Sequence, residues 1–293
     1  MEKSNLFGFL NVYKPSGMTS HDVVAKLRRI TKIKQIGHTG TLDPFATGVL
    51  PVCIGKATRL IEYLKDDKEY LATVQFGKNT DTYDIEGNVT QIFNRKISES
   101  ELLEVLKSFQ GEIAQFPPIY SAIKVNGKKL YDYARTGQTV EIKPRKVTIF
   151  KIELVDFDEN LQQAKIIVAC SKGTYIRSIA YDIGQKLNCG GYLAALERTK
   201  AGNFLAACSA KLEDLADVET VKNHLINPLE VMDIPQIQLS EEDKLRVSHG
   251  MSIENKNLNH LLDIVFLVYS GRIYAIGKVE QNKILVKKLF EVL

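Results

Sequence analysis

The sequence predicts a mixed α and β fold of the α+β kind, with a large first unit and a small β-rich second one. Three observations predict it. Apolar residues alternate at a period of two in some segments and near 3.6 in others. Breaks rich in Gly, Pro, Thr and Asp separate these segments. After Pro235 the texture changes to short strands. With 293 residues, 44% hydrophobic and 25% charged, the chain has the composition of a folded protein and can bury a sizeable core.

Taken in order, Gly8 to Tyr13 reads as a strand halted by Pro15 and Gly17. Ser20 then caps a helix whose Val23, Val24, Leu27 and Ile30 fall at helical spacing. Ile36 to Pro51 has few periodic apolar positions and predicts a long ordered loop, the kind of segment that carries chemistry on a rigid scaffold. Lys68 to Phe76 alternates as a strand, and Ser98 with Glu101 forms a capping box before Leu102, Leu103, Leu106 and Phe109. Gln115 to Lys146, basic and weakly periodic, reads as a protruding arm. Val147 to Phe157 and Gln163 to Cys170 are strands joined at Glu159-Asn160, and Tyr175 to Leu187 is an amphipathic helix with Ile176, Ile179, Ala180 and Ile183 inward. A boundary near Ile234 divides a first domain, 1–234 with its arm at about 115–146, from a small one, 235–293. The latter holds a short helix from Glu241 to Ser248 and strands at Ile264 to Ser270, Arg272 to Lys278 and Ile284 to Leu289.

Lys and Arg total 39 against 35 Asp and Glu, a net charge of +4, so mean charge does not announce a polyanion binder. The distribution says more: Lys26 to Lys34 and Lys124 to Lys146 are basic stretches suited to phosphates or to solvent. Cys53, Cys170, Cys189 and Cys208 form no C-x-x-C pair, which predicts a reduced intracellular protein. His21, His224, His249 and His260 show no metal-ligand spacing, and no apolar run is long enough to span a bilayer.

Asp43 stands in Leu42-Asp43-Pro44, where Pro44 pushes it away from helical geometry. Such a residue can be an Asx-turn acceptor or a reacting carboxylate. Its context is the run Gly37 to Arg59, GHTGTLDPFATGVLPVCIGKATR, which resembles the most characteristic motif of the TruB family of pseudouridine synthases. KPSGMTSHDVV from Lys14, KEYLATVQFGKNTDTYDIEG from Lys68, PPIYSAIKVNGKKLYDYARTG from Pro117 and CSKGTYIRSIAYDIG from Cys170 accompany it in the family's order. The resemblance spans roughly Gly8 to Gly202.

That resemblance implies the pseudouridine-synthase catalytic fold: a central, mostly antiparallel sheet flanked by helices, an inserted RNA-gripping arm and a PUA-like C-terminal domain. It implies that Asp43 is the essential carboxylate, paired with Arg177, which Asp84 orients from the other side. Tyr70 would stack on the target uracil and help remove its C5 proton, and Tyr175 would line the pocket. A stacked base must leave the helix to be reached, and His38 would fill the space it vacates. Tyr120, Lys124, Lys128, Lys129, Tyr131 and Arg135 would contact RNA, and Lys14 is a further matched basic position that supports the site. One departure is Leu196-Glu197-Arg198-Thr199, where the family usually has a basic residue in place of Glu197, so the resemblance does not carry a phosphate contact over to that position.

The implied activity is conversion of uridine 55 in the tRNA T-loop, with no cofactor and no metal. tRNA, through its T-arm, is the implied partner, with no membrane association and no obligate protein partner, in the cytoplasm. Guide-dependent relatives carry longer terminal extensions, so the stand-alone bacterial type is expected. Two rival readings use the same residues: a non-catalytic RNA-binding or tRNA-folding protein, and a glycosidic hydrolase that would release free uracil.

Overall fold

In β1 (Gly8–Lys14) Phe9 faces one core and Leu10 and Val12 another, the two-sided burial expected of a central strand. The computed structural model describes residues 6–121, 123–125, 127–136, 138, 140–255 and 263–290. After β1 come α1 (Ser20–Thr31), β2 (Ile36–His38), β3 (Thr47–Ile54), a 3-10 helix over Gly55–Tyr63, β4 (Lys68–Phe76), β5 (Lys78–Thr80), β6 (Val89–Ile92) and α2 (Glu99–Lys107). The chain continues through β7 (Gly111–Gln115), β8 (Lys124–Val125), β9 (Lys128–Lys129), α3 (Leu130–Arg135), β10 (Arg145–Asp158), β11 (Gln163–Cys170), α4 (Ile176–Lys186) and β12 (Gly191–Ala201). Then follow β13 (Phe204–Leu205), β14 (Ala210–Lys211), α5 (Val218–Asn223), α6 (Pro228–Val231), β15 (Gln236–Gln238), α7 (Glu241–Ser248), β16 (Ile253–Glu254), β17 (Ile264–Tyr269), β18 (Arg272–Glu280) and β19 (Lys283–Leu289).

Among the described residues the main sheet has ten strands, in the order β14-β1-β3-β12-β4-β11-β10-β7, with β2 beside β3 and β13 beside β12. It is mostly antiparallel; β1 with β14 and β3 with β12 run parallel. One core packs α2 and α4 on the β4–β11 half through Leu102, Leu106, Ile176, Ile179, Ala180 and Ile183. A second lies under α1, where Val23, Val24 and Leu27 meet Leu10, Val12, Leu50 and Val52. The second sheet, β15-β17-β18-β19-β16, is a half-barrel whose Phe266, Ile273 and Ile276 share a core with Phe9 and Cys53 of the first and Leu60 of the 3-10 helix.

Two expectations need correcting. The N-cap of α1 is Thr19, which forms a capping box with Asp22, so Ser20 is the first helical residue. The long loop expected from Ile36 to Pro51 is shorter: β2 and β3 take both ends, leaving Thr39 to Ala46. A strand buried on both faces loses its two-residue alternation, and Gly48 and Pro51 further hide β3 in the sequence.

Candidate active site

The loop from Thr39 to Ala46 is held at nearly every residue. Ser20 Oγ accepts from Leu42 N at 2.8 Å and donates back to Leu42 O at 3.2 Å. Asp43 O takes Ala46 N at 3.1 Å, Pro44 O takes Gly17 N at 2.9 Å, and Phe45 O takes Ser16 Oγ at 3.0 Å. Lys14 Nζ reaches Pro44 O at 3.1 Å as well as Pro15 O and Met18 O at 2.8 and 2.5 Å. Lys14 is fully enclosed, so it is not at an RNA-facing surface; it braces the loop, and burial lowers its pKa to about 8. A loop fixed in this way presents its one carboxylate without an ordering cost at the moment of reaction.

That carboxylate meets Arg177, from the first turn of α4. Arg177 Nε lies 3.0 Å from Asp43 Oδ2, an ion-pair contact short of hydrogen-bond angle, and Nη2 donates to Asp43 Oδ1 at 3.4 Å. Nη1 donates to Asp84 Oδ2 at 3.0 Å, and Nη2 also reaches Tyr120 O at 3.1 Å. The other Asp84 oxygen takes Thr82 Oγ1 at 2.6 Å and Glu86 N at 3.1 Å. Arg177 and Asp84 are buried, while the Asp43 side chain keeps about a third of its surface, 32%, open. Burial pushes the Asp43 carboxyl upward, Arg177 pulls it down, and the Asp84 charge pushes it up again. The net direction is upward, and Arg177 is the main influence that favours the ionised form.

Tyr70 stands near Asp43, and His38 near Arg198. Tyr70, on β4, is only 7% exposed and lies in the core cluster with Leu42 and Ala46; burial raises its pKa and Arg198 partly offsets the rise. His38 ends β2, half-buried, with Nδ1 enclosed and without a hydrogen-bond partner among the described residues, and its pKa is lowered first by burial and then by Arg198. Tyr175 is the N-cap of α4, its backbone bracketed by the Gln115 amide, which accepts from Tyr175 N at 2.7 Å and donates to Tyr175 O at 3.0 Å.

Residues 28–176 match the family model described as TruB family pseudouridylate synthase (N terminal domain), and 177–232 match the tRNA pseudouridylate synthase B C-terminal domain. The chain belongs to the TruB family. It is 42% identical to tRNA pseudouridine synthase B of Clostridium kluyveri, over 97% of this chain and 99% of that one. It is equally 42% identical to the protein of the same name from Francisella philomiragia, over 98% of this chain and 96% of the other. Among solved structures, a chain of a Cbf5-Nop10-Gar1 complex superposes with a TM-score of 0.73 at 26% identity, covering 98% of this chain and 85% of that one. A chain of an H/ACA RNP bound to a substrate RNA containing 2'-deoxyuridine superposes at 0.72, also at 26% identity, over 97% and 85%.

Among the described residues, the segment expected to be an arm folds back on itself. Lys124 is exposed, but Lys128 Nζ reaches Gln138 Oε1 at 3.1 Å and lies 4.7 Å from the Tyr133 ring centroid, which turns its charge inward. Tyr131 is half-buried, with its N donating to Ser121 O at 3.2 Å. The side chains of Lys129 and Arg135, both expected RNA contacts, lie outside the described residues, as does His260. Tyr120, expected to touch RNA, places its carbonyl on Arg177, so its backbone is part of the site.

Three TruB residues escaped sequence reasoning. Arg198 is completely buried, with Nε donating to Val49 O at 2.7 Å and Nη2 to Gly40 O at 3.0 Å, so it ties the front of the loop to β3. Its only signal was a position beside Glu197, which itself accepts from Tyr13 Oη at 3.0 Å. Ser20 was visible only as a helix cap, and Gln115 only as the last residue before an irregular stretch.

Proposed function

We propose that this chain isomerises uridine to pseudouridine in the T-loop of tRNA, at position 55, in the manner of a stand-alone bacterial TruB enzyme. The observation that carries the reading is the Arg177 guanidinium shared between Asp43 and Asp84, which holds a partly open carboxyl group on a fixed loop. The names of the curated relatives supply the tRNA substrate class.

In the reaction the C1′–N1 bond breaks, the uracil turns, C5 bonds to C1′, C5 loses its proton and N1 gains one. Nothing is oxidised and no group is lost, so a positioned carboxylate and a closed pocket suffice, with no cofactor. Asp43 acts on the sugar, by attack at C1′ or by taking a sugar proton; both routes require the ionised form that Arg177 favours. Tyr70 stacks on the uracil and assists at C5, Tyr175 lines the pocket, and His38 fills the gap left by the flipped base. Tyr120, Lys124, Lys128, Lys129, Tyr131 and Arg135 form the RNA-gripping arm, whose phosphate contacts weaken with salt. In this reading 1–234 is the catalytic domain and 235–293 a PUA-like domain that adds RNA surface. No helix among the described residues is long and apolar enough to cross a membrane, and a tRNA substrate supports a cytoplasmic location.

Tritium release from tRNA labelled at uridine C5 tests the reading. The chain is expected to release it, while Asp43→Asn releases none yet binds tRNA with unchanged affinity. Release by the substituted protein at the original rate would refute the role of Asp43, and free uracil among the products would point to a hydrolase.

A further inference from the structure

Two consecutive residues of one turn, Tyr83 and Asp84, meet two residues one helical turn apart on α4. Asp84 takes Arg177, and the Tyr83 ring stacks on Tyr181 with centroids 4.0 Å apart and planes 20° from parallel. Neighbouring side chains of an extended chain point to opposite faces, so both can face one helix only if the backbone turns between them. It does: Tyr83 has φ of +64°, a left-handed conformation unusual for a bulky residue. Such strain persists where the surroundings over-determine it. Here Tyr83 N donates to Thr80 O at 3.3 Å, Tyr83 O accepts from Leu193 N at 3.0 Å, and Asp84 bridges to Leu193.

Glycine would make the same turn without strain. The ring is thus not needed to form the turn, and what it adds is a second anchor on α4. Without the stack, Thr80 and Leu193 would still hold the backbone of the turn, and Asp84 would tie it to α4. With the stack as well, four residues on two elements define the position of the guanidinium, whose remaining nitrogens face Asp43. We propose that Tyr83, through its stack on Tyr181, is a positioning residue that holds Asp84, and through it Arg177, in register with Asp43. This rests on the reaction proposed above.

The charged groups that face Asp43 are Arg177 from α4, Asp84 and Glu86 from the turn, and Lys14 from β1. A looser Arg177 leaves burial and the two carboxylates less opposed, so Asp43 would hold its proton to higher pH. The full chain is compared with Tyr83→Gly, Tyr181→Ala and Tyr83→Phe, using C5-tritiated tRNA and measuring kcat, KM, thermal stability and the pH profile of kcat. Removing either ring is expected to lower kcat by about tenfold or more, because small misplacements at a distance from the chemistry are costly. KM should stay within about threefold and the acid limb of kcat should move to higher pH, while Tyr83→Phe behaves as the unsubstituted chain. Unchanged kcat and pH profile with a lowered melting temperature would overturn the inference, as would failure of both ring-deleted variants to fold, because the stack would then serve stability alone. A loss with Tyr83→Phe as large as with Tyr83→Gly would overturn it in favour of the hydroxyl. Absence of release by the unsubstituted chain would instead sink the proposed reaction.

Discussion

A guanidinium shared by two carboxylates must satisfy both at once, and its planar fork does so where an ammonium cannot. Arg177→Lys can reach Asp43 or Asp84 but not both, leaving one carboxylate without its partner. We expect kcat to fall by tenfold or more, about 1.4 kcal/mol at the least, with tRNA affinity nearly unchanged. Equal losses in rate and affinity in single-turnover and filter-binding measurements would contradict this. Asp182, on the same helix, tests the electrostatics separately: burial raises its pKa from 3.8 to about 6. Between those values the folded chain holds a proton that the unfolded chain has lost, so stability falls as pH rises towards 6 and the cost is complete above it. Asp182→Asn should therefore stabilise the protein by about 1 kcal/mol at pH 7.5, a value discounted for partial exposure, and by almost nothing near pH 4. Denaturant titrations at the two pH values would decide it. At this scale Asp43 was legible because Pro44 and the ordered motifs surround it. Arg198 was not, since nothing local distinguishes a buried arginine from a solvated one on a strand.

At the scale of elements, the loop that carries Asp43 depends on how closely β3 meets β12. Gly48 has φ of +104°, and a β-carbon there would come within 2.3 Å of Arg198 O and 2.6 Å of Arg198 N. Backbone atoms cannot move aside as a side-chain tip can, so Gly48→Ala should cost about 3 kcal/mol in chemical denaturation. It should also slow the reaction, because Arg198 ties that junction to Gly40. A variant as stable as the parent would show that β12 can retreat. Strands with clear alternation, such as β4, and helices with capping boxes, such as α2, were readable in the sequence. β3 was not, because burial on both faces erases the pattern that marks a strand.

At the scale of the whole molecule, the end of the long motif serves an unexpected purpose. Arg59 Nη1 donates to Leu289 O at 2.6 Å and its guanidinium lies 5.2 Å from the Phe290 ring centroid, while Lys56 donates to Phe290 O. The segment Gly55 to Arg59 thus docks the half-barrel beside the core shared by Phe9, Leu60, Phe266 and Phe290. A core common to both sheets couples their unfolding. Scanning calorimetry is expected to show one transition for the full chain; two resolved transitions would mean that the sheets melt independently.

The sequence by itself determined the mixed α and β order, most strand and helix positions, and the identity of Asp43, Arg177 and Asp84 as candidates, because periodicity, caps and an ordered series of motifs are local signals. The meeting of these three side chains was implied by the motifs and given its geometry by the tertiary structure, which alone decided that Lys14 is fully enclosed, that Arg198 ties Gly40 to β3, and that Tyr83 and Tyr181 stack. Each of those depends on which strands and helices become neighbours across long stretches of chain, and no local pattern carries that information.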